Sequence, residues 1–305
     1  MRPGSMNPIS TAKPSSTGID FSKFFIPEEM TPLFFTPIYH ELSRVQKLRF
    51  NQLYTSSFHE QFMNLEKVLV NQMLPALIKR LGDDPLSGSL RVFREEEIEH
   101  TRMFHNLHVR CEPQLYHDRE FFFIRMPFWI RAVLHFVSSQ PALFPFCLWL
   151  TIVEEERTVY YSKQILNAAD ELERSVVEVH RRHLADEVGH VRWDEELLDE
   201  SWPRRSSVAK SFNARLFAFV LCEYFNTPKR AGSQVIQQWI KECPDLTALA
   251  PVLLRQLRSL ERDDDYLRTL YAREMVPRSF ALLDRWPEFE FLTRMLPGYT
   301  ISRRH

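Results

Sequence analysis

The 305 residues point to an all-α protein built around a four-helix bundle, on three observations. Seven glycines stand against nineteen prolines, and alternating β-branched runs are almost lacking, a composition of helices punctuated by proline. Two patterns, Glu97-Ile-Glu-His100 and His183-Leu-Ala-Asp-Glu187-Val-Gly-His190, set carboxylate and imidazole three or four residues apart inside helical segments. Side chains so spaced share a helix face, so each pattern aims its donors at one point. Single glutamates on two further helices complete the arrangement by which a bundle holds two metal ions.

The elements follow in chain order. Residues 1–20, rich in Ser, Thr and Pro, are expected to form a mobile tail, with Met1 to Ser5 reading as a vector remnant ahead of Met6. Residues 21–40 read as an extended arm with proline and aromatic clusters such as Phe34-Phe35-Thr36-Pro37. Apolar periodicity places helices over about 42–81, 86–110, 118–139, 142–169 and 171–202, the first two parted by the turn residues Gly82 to Gly88. Further helices are expected near 207–226, 231–242, 246–274 and 278–295, separated by Pro228, Pro244 and Pro277. Residues 21–305 then form one domain, with a bundle core at about 42–202 and the later helices closing over it.

Composition removes several function classes. A formal net charge of -1 offers nothing to a polyanion, so nucleic acid is not an expected partner. Cys111, Cys147, Cys222 and Cys243 lie far apart with no CxxC pair, which suits reduced thiols rather than a zinc site or disulfide framework. The most apolar stretch, Phe121 to Val153, is broken by Arg125, Arg131, His135 and three prolines. It lacks the roughly 20 uninterrupted apolar residues of a membrane helix and reads as buried helices. With no signal-peptide pattern, the expected location is cytoplasmic.

Candidate ligands emerge where polar residues fall on stripes meant for the core. Phe93, Glu97, His100, Phe104 and Leu107 keep a 4-3-4-3 spacing, and Val176, His180, His183, Glu187, His190 and Asp194 form a stripe with almost no aliphatic residue on it. In the first helix Glu66 travels with Phe58, Phe62, Leu65, Leu69 and Met73, whereas Glu60 keeps company with Ser57, Gln61 and Lys67 and reads as solvated. In the fourth, Glu156 is the only charge on the stripe Phe146, Trp149, Val153, Tyr160, and Glu154 and Glu155 fall on other faces. Taking ionised carboxylates out of water costs several kcal/mol each, so a repeated pattern of this kind calls for a cationic counterpart.

Four glutamates and two or three histidines suit iron or manganese, and four carboxylates at -4 balance two divalent ions. Zinc is disfavoured because the string HExxH is missing. A single ExxH arises by chance about once in a chain of this size and is usually a solvated pair. Here the only two both sit on apolar stripes, each matched by a glutamate elsewhere, against which the bland reading is a hydrogen-bonded polar core. His180 reads as a neighbour of the ligands rather than one of them, and Asp186 and Asp194 as carboxylates that orient ligating imidazoles.

These residues resemble the ferritin-like diiron N-oxygenases typified by p-aminobenzoate N-oxygenase. That family carries Glu, then ExxH, then Glu, then HxxxExxH, and the pattern is met by Glu66, Glu97 with His100, Glu156, and His183 with Glu187 and His190. The resemblance covers roughly residues 30–200 and weakens over the C-terminal third. It implies a ferritin-like bundle, two Fe2+/Fe3+ ions, O2 as co-substrate, an external electron-donor reductase, and oxygen transfer to a small amine to give a hydroxylamine and onward nitroso or nitro products. His183 is the added nitrogen donor that separates the family from ordinary ferritin-like diiron proteins. Phe58 and Gln61 stand where the family's p-aminobenzoate enzyme has a tyrosine and an arginine that hold an aryl carboxylate. An amine of another shape, such as an amino acid or a carrier-tethered amine, is then expected, in a pocket near Phe58, Gln61, Phe62 and Tyr160. A homodimer is in keeping with such bundles. Two other classes stay open at this point: a diiron carbon hydroxylase or desaturase, and iron storage or a metal-stabilised bundle without turnover.

Overall fold

The computed structural model describes residues 18–224 and 229–299; residues 1–17 of the expected tail, with its vector remnant, lie outside them. Thirteen α-helices are present among the described residues: α1 (Pro37–Glu41), α2 (Arg44–Val68), α3 (Leu74–Leu81), α4 (Pro85–Cys111), α5 (Pro113–Tyr116), α6 (Phe128–Ser138), α7 (Phe146–Asn167), α8 (Arg174–Ser201), α9 (Ser207–Tyr224), α10 (Lys229–Glu242), α11 (Ala250–Ser259), α12 (Asp264–Arg268) and α13 (Pro277–Leu283). There is no β-strand among them, only isolated bridges between Phe24 and Leu172 and between Ala272 and Gly298.

The long helices start where the chain supplies caps. Ser43 and Gln46 close a capping box on α2, Asp84 accepts from Leu86 N at 2.9 Å ahead of Pro85 on α4, and Glu173 accepts from Val176 N at 2.9 Å on α8. The expected first helix runs unbroken through α2 and α3, but Leu69–Met73 between them is π-helical, with Leu74 N donating to Leu69 O. Pro75 explains it, since proline lacks an N–H and its ring presses on the carbonyl four residues back. Gly82, at φ +60°, then ends α3 in a conformation that suits glycine.

Four of these helices make the bundle. α2 packs on α4, α4 on α8, and α8 along α7, while α2 and α7 meet across the remaining side through Phe58 and Tyr161, whose rings lie 5.2 Å apart, and the cavities that both helices line. Two cavities of about 300 and 150 Å³ occupy that seam, and both are lined by Gln61. The later helices cover the outside: α10 packs on α2, and α9 and α13 on α7.

Four expectations are corrected, one of them the helix near 278–295, which is α13 followed after a break by a 3-10 stretch Pro287–Arg294. The helix expected over 118–139 begins only at Phe128, because the backbone N–H groups of Phe122, Phe123 and Ile124 turn inward to the carboxylate of Glu60. The helix expected over 246–274 is broken into a 3-10 turn Pro244–Leu249, α11, a second turn Leu260–Arg262, and α12 capped by Asp263, with Thr269 as its C-cap. The arm at 21–40 is not extended throughout: it holds 3-10 turns at Glu28–Met30 and Pro32–Phe35 and ends in α1. Asn51 pins it by accepting from Phe25 N at 2.8 Å and donating to Ile26 O at 2.8 Å. None of the four cysteines is in a disulfide, and no helix among the described residues is long and apolar enough to cross a membrane.

Candidate metal centre

Between the four bundle helices lie seven buried donors. Glu66 comes from α2, Glu97 and His100 from α4, Glu155 from α7, and His183, Glu187 and His190 from α8, and each is at most 5% exposed. Six of the seven form two overlapping groups, Glu97, His100, Glu187, His190 and Glu66, His100, His183, in each of which one atom per residue lies within 4.8 Å of all the others, and Glu155 borders the first group through His190. Glu187 is central: its Oε1 is 2.8 Å from His183 Nε2 and 3.3 Å from His100 Nδ1, and its Oε2 is 3.5 Å from His190 Nδ1. Glu97 Oε1 stands 2.9 Å from His190 Nδ1, Glu66 Oε1 3.3 Å from His183 Nε2, and Glu155 Oε2 3.7 Å from His190 Nδ1.

Short as these contacts are, most are not aligned as hydrogen bonds. Both oxygens of Glu97, Glu187 Oε2, His100 Nδ1, His190 Nδ1 and both nitrogens of His183 are buried without a hydrogen-bond partner. Donor atoms that crowd one another yet satisfy none of each other are what a shared cation needs, so the residues fit a dimetal carboxylate centre. The outward nitrogens are held instead: His100 Nε2 lies 3.1 Å from Asp186 and His190 Nε2 3.0 Å from Glu96. Carboxylates so placed fix the ring orientation and raise ligand basicity.

The carboxylates and imidazoles of the cluster shift one another. Burial works against a charged His183, but the carboxylates of Glu187 and Glu66 outweigh it and lift its pKa to about 10. His100 and His190 are raised in the same way against burial. Glu187, despite burial, is held well below the usual carboxylate range by His183 and His190, whereas Glu155 is pushed well above it by burial and by repulsion from Glu187 and Glu97.

One sequence-derived position moves. Glu156 is not at the centre: its carboxylate accepts from Arg278 N at 2.9 Å and Ser279 N at 2.6 Å, capping α13, and Glu155 takes the place expected for it. The stripe that carries Glu156 is a core stripe, but the core it enters is the outer one, where Trp149 packs on Trp202 and Phe289. α7 is buried on almost every face, so periodicity had nothing to separate the inner from the outer side. Glu60 is likewise fully buried rather than solvated, accepting from Tyr116 Oη at 2.6 Å and from the three N–H groups of 122–124. Glu154, also buried, holds Arg157.

Of the residues expected around the ligands, Asp186 meets His100, but Asp194 is fully buried with neither oxygen hydrogen-bonded, and Glu96, which sequence reasoning missed, meets His190. The sequence points to Asp186 for this role but carries no sign of Glu96, and both contacts cross between α8 and α4. His180 bonds away from the cluster, to His59 Nε2 at 3.0 Å and Ser162 Oγ at 3.0 Å. Phe58, Gln61 and Tyr160 line the 300 Å³ cavity. Phe62 stands between it and the donors, its ring 4.5 Å from Phe58 and stacked at 6.3 Å on His183.

Comparison with curated proteins and with solved structures gives no match. Residues 12–240, three quarters of the chain, match the family model described as p-aminobenzoate N-oxygenase AurF. With a helical bundle and two overlapping groups of buried glutamates and histidines at its heart, the chain belongs to the p-aminobenzoate N-oxygenase family and is a non-haem diiron N-oxygenase that acts on an amine.

Proposed function

We propose that Glu66, Glu97, His100, Glu155, His183, Glu187 and His190 hold the two iron ions, and that the cavity beside Phe58, Gln61 and Tyr160 receives a small amine. The observation that carries this reading is the pair of overlapping groups of six buried donors, five of which have inward atoms without a hydrogen-bond partner, with the buried Glu155 3.7 Å from His190. Bound there, a ferrous pair supplies the coordination and electrons that activate O2 for oxygen-atom transfer to an amine lone pair. The balance is amine, O2, two electrons and two protons giving hydroxylamine and water, so turnover draws on an external electron donor.

The protein's residues have separable tasks in this scheme. Asp186 and Glu96 orient the imidazoles of His100 and His190 from the outer side. His183 gives a third nitrogen, fixed by the face of Phe62. Phe58, Phe62 and Phe104 wall the donors with apolar rings and keep bulk water from the reacting atoms. The 300 Å³ cavity that would receive the amine lies between α2 and α7, with Phe62 between Phe58 on its wall and His183.

The test is a paired substitution on neighbouring residues. Glu155→Ala is expected to lower bound iron and abolish amine-dependent hydroxylamine formation, and Glu156→Ala to keep both. Equal iron in the two variants would remove Glu155 from the centre.

A further inference from the structure

The larger cavity carries a pattern of charge and of unused hydrogen-bond donors that selects among amines. Its deepest charged residue is Arg157, 5% exposed. The guanidinium is already occupied on two of its three nitrogens: Nη1 donates to both oxygens of Glu154 at 2.7 and 2.8 Å, and Nη2 donates to Tyr161 Oη at 3.2 Å. The rings of Tyr161 and Tyr271 lie 5.4 and 4.7 Å from its carbon and clamp the plane. One buried positive charge is therefore cancelled by one buried negative charge, and the group cannot turn away from Glu154 without losing that pairing.

Two donors remain. Arg157 Nε and the hydroxyl of Tyr266, which is 3% exposed and also lines the cavity, are both buried without a hydrogen-bond partner. Buried polar groups are almost always satisfied, so two unsatisfied ones on residues that line one cavity point to a ligand atom there. At the cavity mouth stand the exposed side chains of Glu29, Glu274 and Arg268, a rim with one more negative than positive charge.

We propose that this cavity takes a small aromatic amine whose polar end is an uncharged hydrogen-bond acceptor, a carboxamide or ketone carbonyl, and that it turns carboxylates away. The inference rests on the reading of this cavity as the amine's site. A carbonyl oxygen has two lone pairs and accepts from both Nε–H and the Tyr266 hydroxyl. A carboxylate would bring a second negative charge to an arginine already neutralised by Glu154, past a net acidic rim, and would be desolvated without a charge to meet it. The aromatic rings of Tyr54, Phe58 and Tyr160 suit a flat ring between the ends. The amine then points along Phe58 and Phe62 towards His183, whose ring Phe62 covers.

The experiment is equilibrium dialysis of 4-aminobenzamide and 4-aminobenzoate against the full-length, iron-loaded protein at neutral pH without reductant, so that no turnover enters the result. The benzamide is expected to bind at least about tenfold more tightly than the benzoate. Tyr266→Phe removes a hydroxyl that has no partner in the fold, so its melting temperature should hold while benzamide affinity falls about fivefold and benzoate affinity stays. Glu154→Gln, where it folds, frees the guanidinium charge and should move the preference towards the benzoate. Equal binding, tighter benzoate binding, no saturable binding of either, or an unchanged benzamide affinity in Tyr266→Phe would overturn the proposal. Selective binding of the benzamide without any hydroxylamine once reductant and O2 are added would leave the recognition standing and count against the oxygenase reading instead.

Discussion

Glu155 and Glu156 are neighbours in the chain and belong to different parts of the molecule. One lies 3.7 Å from His190 in the bundle interior, and the other caps α13 on the outside. Glu156→Ala should therefore leave iron binding intact but lower unfolding free energy by about 1–2 kcal/mol in urea titration, the worth of a helix cap. A second residue-scale prediction concerns His183, the nitrogen donor added to the ExxH of α8. His183→Ala should retain part of the iron, since Glu97, His100, Glu187 and His190 remain grouped, yet impair oxygenation. Full N-oxygenation with normal iron content would contradict its role. At this scale the two ExxH motifs, His183 and Glu66 were legible because a polar group on an apolar stripe is a costly anomaly. Glu155 was not, because the whole circumference of α7 is buried and the run Glu154-Glu155-Glu156-Arg157 places a charge on every side.

Among the elements, the least legible was the connection between α5 and α6. Its shape is set by Glu60, which sequence periodicity assigned to solvent and which instead gathers the N–H groups of Phe122, Phe123 and Ile124 from far along the chain. Burial raises the Glu60 pKa, and the hydrogen bonds from Tyr116 and from this loop partly offset it. Glu60→Ala strips partners from several inward N–H groups and should cost about 3 kcal/mol of stability in urea unfolding. The long helices were legible to within a few residues from their caps and stripes, whereas α11 and α12 arise from a fine pattern of turns that an amphipathic stretch does not disclose. Buried histidines beside the bundle centre also govern acid stability. His108, fully buried, has its pKa pushed down to about 3, mainly by burial. It stays neutral in the fold while the unfolded chain takes up a proton below its ordinary value of 6.5. Its contribution is thus present above pH 6.5 and lost as pH falls from there towards 3, at up to about 1.4 kcal/mol per pH unit. In His108→Gln the slope of stability against pH over that window should be shallower by up to that amount, read from urea midpoints at stepped pH.

On the scale of the whole molecule, the C-terminal segments pack on the bundle and roof its larger cavity rather than hang from it as an appendage. α13 is capped by Glu156 of α7, Tyr271 flanks Arg157, and residues 266–275 roof the larger cavity. Gly298 passes so close to Tyr271 that an added Cβ would lie 1.7 Å from its carbonyl oxygen, so the last described residues are clamped to the same roof. The bundle and its function were readable from four helices' worth of motif. The roof was not, because its role depends on contacts between residues more than a hundred positions apart, such as Arg278 with Glu156. The central claim, that seven buried donors including Glu155 form a diiron centre, is tested most directly by elemental analysis of protein produced with iron, alongside its Glu155→Ala variant. The account predicts about two irons per wild-type chain and a clear loss in the variant. Zinc in place of iron, substoichiometric metal, or no difference between the two proteins would contradict it.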